Sequence, residues 1–169
     1  MTQVVQLEKF GLDGLRLAQR SLADPGPGQV RVRVGEVSLN YRDLMMVLGL
    51  YNPRQALPLI PCSDGAGTVV AVGAGVTAWR PGDRVMSVFA QDWLDGEVDS
   101  RCGRRTLGGP LDGMLAEEVI LPDTGLVRSP DSLTDAQVAC LPCAGVTAWH
   151  ALVAQGGIQS GDTGLVIGT

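Results

Sequence analysis

The sequence predicts a mainly β fold with a few helices, in which a β-barrel domain is followed by the first helices and strand of an α/β unit. Three observations carry this expectation. Residues Val30 to Val34 alternate as V-R-V-R-V, the period of a half-buried strand with valine inward and Arg31 and Arg33 outward. The chain holds 23 glycines and 10 prolines in 169 residues, which sets turns at short intervals and suits many short strands. After Pro130 the pattern changes to short apolar helices, and the chain finishes on GDTGLVIGT at Gly161 to Thr169. Strands, then helices, then a strand is the order of a barrel joined to an α/β unit.

The elements follow in order. Pro25-Gly26-Pro27-Gly28 makes a turn that starts the first strand. From Asn40 the period lengthens, with Leu44, Val47, Leu48 and Tyr51 recurring on one helical face and Asn40 placed to cap the first turn. Gly65 to Val72 and Asp83 to Phe89 are rich in β-branched residues and read as strands, separated by glycine turns that include Pro81-Gly82-Asp83. Gln91 to Gly113 is polar and glycine-rich, an excursion from the sheet. Met114 to Leu121 resumes strand character. Thr134 with Gln137 three residues on forms a capping box, and Ala136, Val138, Ala139 and Leu141 give the helix an apolar side. Pro142 is expected to interrupt that helix. A second one is expected over Ala144 to Val153, ending at Gly156-Gly157.

Composition excludes several classes of function. Thirteen basic and 18 acidic residues give a net charge of −5, without the electrostatic footprint of a nucleic-acid or anionic-membrane ligand. No apolar run approaches the ~20 residues needed to span a bilayer, and MTQVVQLEKF lacks a secretory pattern, so a cytoplasmic location is expected. No G-x-S-x-G nucleophile elbow occurs. His150, the single histidine, reads as packing or surface, and Arg101, Arg104 and Arg105 as a solvated loop. Cys140-Leu-Pro-Cys143 has thiol-redox spacing. Its first cysteine, however, falls late in a capped helix rather than opening one, so free thiols are expected.

The terminal run GDTGLVIGT is compatible with a strand entering the glycine turn of a dinucleotide-binding unit, with only Gly168 of the turn present. Five further stretches give this reading weight: SLNYRDL at Ser38 to Leu44, PCSDGAGTVVAVGAGV at Pro61 to Val76, GDRV at Gly82 to Val85, DGMLAEEV at Asp112 to Val119 and LPCAGVTAWHAL at Leu141 to Leu152. Together they resemble, in family order, the N-terminal part of the medium-chain dehydrogenases/reductases, in the zinc-free branch similar to quinone oxidoreductases. The resemblance implies a GroES-like catalytic barrel over residues 1–130, then linker helices and the first strand of a truncated Rossmann domain over 131–169.

The same resemblance implies site residues. Asn40 and Tyr41 would face the nicotinamide and substrate as the catalytic pair, and Asn40, Thr147, Gly168 and Thr169 would contact an NAD(P)H cofactor. In zinc-dependent relatives the catalytic metal is held by Cys, His and a further Cys or Asp; the matching positions here hold Asn40, Ser63 and Cys143. Amide and hydroxyl groups are poor zinc ligands, so no metal is expected. Asp43 and Asp64 read as structural acids, one paired with Arg42. The implied reaction is zinc-independent hydride transfer to a quinone, enone or carbonyl of a small molecule. As a partial enzyme the chain alone is expected not to turn over. The alternative is a GroES-like binding or assembly module without catalysis. The sequence leaves oligomeric state open.

Overall fold

The computed structural model describes residues 1–97 and 105–167. Strands β1 (Thr2–Leu7) and β2 (Leu15–Arg20) form an antiparallel hairpin, paired from Thr2 with Arg20 to Leu7 with Leu15. The main sheet holds five antiparallel strands in the order β6-β3-β4-β5-β7: β3 is Gln29–Ser38, β4 Asp64–Val72, β5 Arg84–Ser87, β6 Glu118–Pro122 and β7 Leu126–Arg128. The hairpin meets the rest through single bridges, Val4 with Ala116 and Leu7 with Leu59. Among the described residues the barrel is therefore open: single bridges do not propagate a ladder, and the sheets do not close into a ring.

The alternation read in β3 is realised. Val30 and Val32 are buried with Val69, Val85, Leu107, Met114, Val119, Leu121 and Leu126 in one core. Arg31 faces out and pairs with Asp24 at 2.9 Å. Between Val34 and Glu36 the register shifts at a bulge, and opposite it the chain can only be glycine. A Cβ at Gly67 would lie 2.1 Å from the Arg33 carbonyl oxygen.

Helix α1 (Tyr41–Val47) starts after Asn40 as expected, but its inward face differs. Asp43, Met46 and Val47 are buried, whereas Leu44, Leu48 and Tyr51 are substantially exposed. The helix has only two turns. The amides of Leu50 and Tyr51 both donate to the Met45 carbonyl, at 2.9 and 3.1 Å, and Gly49 takes φ +73°, which turns the chain away before the expected face is completed.

The excursion returns to the core. Leu107 is buried, and Arg105 pairs with Asp92 at 3.2 Å; Arg101 and Arg104 lie outside the described residues. The strand expected from Met114 begins only at Glu118. The residues before it bond one at a time to different neighbours, with Met114 N–H donating to the Cys62 carbonyl and Glu117 N–H to that of Gln3.

Helix α2 (Asp135–Ala139) has the capping box: Thr134 N–H donates to Gln137 Oε1 at 3.0 Å, and Gln137 N–H to Thr134 Oγ1 at 3.4 Å. Val138 and Ala139 pack on Ala66 of β4. The expected break is present but falls before Pro142: α2 ends at Ala139 with Cys140 as its C-cap, and a new helical run begins at Leu141. This second run passes through a wide turn (Leu141–Gly145), α3 (Val146–Trp149) and a second wide turn (His150–Gln155). Pro142 sits in the first turn of this run, where a missing N–H breaks no internal bond. The run ends at Gly156, with Gly157 at φ +61°. Residues 162–167 form no strand and are exposed; among the described residues no neighbouring strand pairs with them, and strand character requires pairing. No helix among the described residues is long and apolar enough to cross a membrane.

Candidate functional site

The candidate site lies where β3 ends, α1 begins and β4 starts. Asn40 has extended backbone, φ −106° and ψ 155°, which lets its N–H reach forward to Asp43 Oδ2 at 2.8 Å. Its side-chain Nδ2 is buried and has no hydrogen-bond partner among the described residues. Tyr41 is 77% exposed, its ring standing free of the core.

Arg42 anchors the same turn to the returning excursion. Its guanidinium donates to the carbonyls of Gly109 at 2.6 Å and Leu107 at 3.2 Å. It stacks between the rings of Tyr51 and Phe89, 4.8 and 4.9 Å from their centroids. The expected pairing of Arg42 with an acid is loose, 3.9 Å to Asp43; the short contacts go to carbonyl oxygens instead. Arg42 Nε and Asp43 Oδ1 join Asn40 Nδ2 as buried polar atoms without partners, so three such atoms fall within one helical turn.

At the start of β4, Cys62 adopts φ +70° and delivers Ser63 and Asp64 into the interior. Asp64 is fully buried. Its Oδ1 accepts from the Ser63 hydroxyl at 2.6 Å and its Oδ2 from the Cys143 backbone N–H at 2.9 Å. Ser87 of β5 braces this corner, donating to the Ser63 carbonyl at 2.9 Å and accepting from Gly65 N–H at 3.1 Å.

Electrostatics follow from burial beside two carboxylates. Desolvation raises the Asp43 carboxyl above its ordinary value, with Asp64 adding to the rise, while the Asn40 N–H and Arg42 pull against it. Burial, then Asp43 and Asp64, push the Cys62 thiol up to about 12. Burial followed by Asp64 and Asp43 also raises Cys143, against a smaller opposing effect of Arg42 and a hydrogen bond from Thr147.

The structure thus brings Asn40, Asp43, Ser63, Asp64 and Cys143 into one neighbourhood and sets Thr147 beside Cys143. Thr147 itself is exposed. Gly168 and Thr169 lie outside the described residues. Cys62, Cys140 and Cys143 are free thiols. His150 is exposed, its Nε2 at 3.4 Å from Gln155 Nε2. Among the described residues no three His, Cys, Asp or Glu side chains are grouped to hold a metal. Sequence reasoning did not find the Asp64 link to Cys143. The signal was an acid opening an apolar strand in CSDGAG, a position that demands buried partners.

Known proteins share this arrangement of elements. Residues 26–131 match the alcohol dehydrogenase GroES-like domain. A zinc-type alcohol dehydrogenase-like protein of Schizosaccharomyces pombe is 38% identical over 169 residues, covering 98% of this chain and 49% of its own length. A quinone oxidoreductase-like protein 2 homolog of Nematostella vectensis is 35% identical over 141 residues, covering 83% and 33%. A crystal structure of a Sinorhizobium meliloti protein assigned as an alcohol dehydrogenase superposes with a TM-score of 0.85 at 44% identity, covering 95% of this chain and 48% of the other. The chain spans half or less of the length of these relatives. With the model match extending over most of its length, the chain belongs to the alcohol dehydrogenase GroES-like domain family.

Proposed function

We propose that this chain supplies the substrate-side portion of an NAD(P)H-dependent oxidoreductase that moves hydride, without zinc, to a quinone, enone or carbonyl group. Residues 1–130 form the catalytic domain in this reading, and 131–169 lead into the nucleotide-binding half. The single observation that carries it is Asn40: a buried amide donor with no internal partner, next to the free ring of Tyr41.

Zinc does not fit the residues present. The position of one ligand holds the Asn40 amide, and that of another holds the Ser63 hydroxyl, whose O–H already donates to Asp64. The third, the Cys143 thiol, is a fit zinc ligand, but one sulfur ligand beside an amide and a hydroxyl falls short of the three protein ligands a catalytic zinc takes. No step is routed through a metal.

The nicotinamide, when bound, supplies the hydride. Asn40 Nδ2, whose donor no protein group among the described residues satisfies, turns outward to donate to the substrate oxygen, where negative charge develops as hydride arrives at the conjugated carbon. Tyr41 stacks on or donates to the planar acceptor. Thr147 presents its hydroxyl to the cofactor, and Gly168 and Thr169 would also contact it. The setting is cytoplasmic and the substrate a small molecule.

Fluorescence titration with NADH and NADPH tests cofactor binding, and steady-state reduction of a quinone and an enone by the protein containing this chain tests the chemistry. Asn40→Ala should lower kcat/KM by about 100-fold; an unchanged value would sink the reading. The exposed side chains of Val146, Trp149 and Leu152 favour the second reading, a binding or assembly module. That reading predicts no saturable nucleotide binding.

A further inference from the structure

The helical run over residues 141–155 carries Thr147, yet little fastens it. Most of its residues are exposed. Among the described residues, one side-chain hydrogen bond joins this run to the rest of the protein: Cys143 N–H to Asp64 Oδ2, 2.9 Å long and spanning 79 positions of sequence. The acceptor is a fully buried carboxylate, which water cannot satisfy and which makes a charge-assisted bond to the amide. Its other oxygen is held by Ser63, so the carboxylate plane is fixed from both sides.

The position of Asp64 makes this tie consequential. In the β3–β4 ladder Asp64 pairs with Ser38, only two residues before Asn40. Cys143, in turn, lies four residues before Thr147, on the same helical face. Asp64 therefore stands between the residue assigned to the substrate and the residue assigned to the cofactor.

We propose that Asp64 is a positioning residue, whose buried carboxylate grips the Cys143 backbone and so sets the placement of Thr147 relative to Asn40 and Tyr41. It rests on the hydride-transfer reading for its purpose, though the tie itself does not. Hydride transfer requires reacting atoms about 3 to 3.5 Å apart, so a loosened helical run separates donor from acceptor without touching either.

The experiment compares Asp64→Ala, Asp64→Asn and Ser87→Ala in the protein containing this chain, reading hydrogen exchange at the Cys143 amide and NADPH affinity by fluorescence. Asp64→Ala should speed exchange at Cys143 about tenfold, the change expected for losing one buried bond to a charge, and weaken NADPH binding. Asp64→Asn should restore both, because its carbonyl still accepts from Cys143 N–H while its amide donates to Ser63. Ser87→Ala loosens the same corner without touching the tie, so it should lower thermal stability while leaving Cys143 exchange unchanged. If Asp64→Ala does not fold, the Cys143 amide proton resonance decides: in Asp64→Asn it should move upfield as the acceptor loses its charge, with Gly145 unmoved. Unchanged exchange in Asp64→Ala, an unmoved resonance in Asp64→Asn, or an equal loss of NADPH affinity in Ser87→Ala would overturn the proposal. A wild-type protein containing this chain that binds no NADPH would instead defeat the hydride-transfer reading, and exchange at Cys143 would still decide the tie.

Discussion

Arg84 of β5 grips Asp135 at the first turn of α2, its Nη2 2.5 Å and its Nε 3.1 Å from the same carboxylate oxygen. Nη2 also donates to the Leu133 carbonyl at 2.8 Å. One guanidinium thus fixes both the start of α2 and the loop before it, and holds Val138 over Ala66. Lysine cannot reproduce this fork. Both side chains are about one-third exposed, so solvent screens the pair. Arg84→Lys should cost about 1 kcal/mol, a fall in Tm of roughly 2 to 4 °C for a chain of this size. Calorimetry checks it.

Asp43 predicts a pH dependence. Its folded carboxyl titrates above the ordinary value of 3.8 because it is buried, so the native state holds this proton more tightly than the unfolded chain. The resulting stabilisation is complete below the ordinary value and is lost as pH rises through the raised one. Asp43→Asn has no proton to lose, while its amide oxygen still accepts from the Asn40 N–H. The stability of wild type relative to Asp43→Asn should therefore decline as pH rises from about 4 toward 7. Urea denaturation at stepped pH measures it; a difference that grew with pH would contradict the sign.

What the sequence made legible was local. The valines of β3 and the Thr134 capping box were readable because alternation and a three-residue spacing need no distant partner. The face of α1 was not, since Leu44 and Leu48 fit the helical period better than Asp43, which is buried only because Asn40 N–H meets its carboxylate. The hairpin β1–β2 went unread. Its turn residues Lys9 to Asp13 carry no two-residue hairpin signal, and strand β2 has little burial to pattern it. In the site, Asn40 and Tyr41 were nominated by family resemblance, whereas Asp64 and Cys143 meet across a separation that no periodicity encodes.

Gly67 should be among the least replaceable residues of the sheet. The atom that a new Cβ would strike, the Arg33 carbonyl oxygen at 2.1 Å, belongs to the backbone of the neighbouring strand and cannot rotate away. Relief requires parting β3 from β4 at the bulge, in the middle of the five-stranded sheet. Gly67→Ala should destabilise by about 3 kcal/mol or more. Chemical denaturation would show it, and a loss below about 1 kcal/mol would mean the bulge opens freely.

The thiols should separate by reactivity. Alkylation proceeds through the thiolate; Cys62 is buried and its thiol is pushed up to about 12, beside two carboxylates that oppose a further negative charge. Cys143 is raised for the same reasons, from a less buried position, while Cys140 is exposed at the C-terminal end of α2. Brief iodoacetamide treatment of the native protein near pH 8, followed by peptide mass mapping, should label Cys140 first, Cys143 slowly and Cys62 only after unfolding. In Asp64→Asn the Cys143 thiol loses one of the charges that raise it, so its labelling should accelerate while that of Cys140 stays constant. Rapid labelling of Cys62 in the folded protein would show that the corner between β4 and α1 opens to solvent, and would remove the basis for treating Asp43 and Asp64 as buried charges.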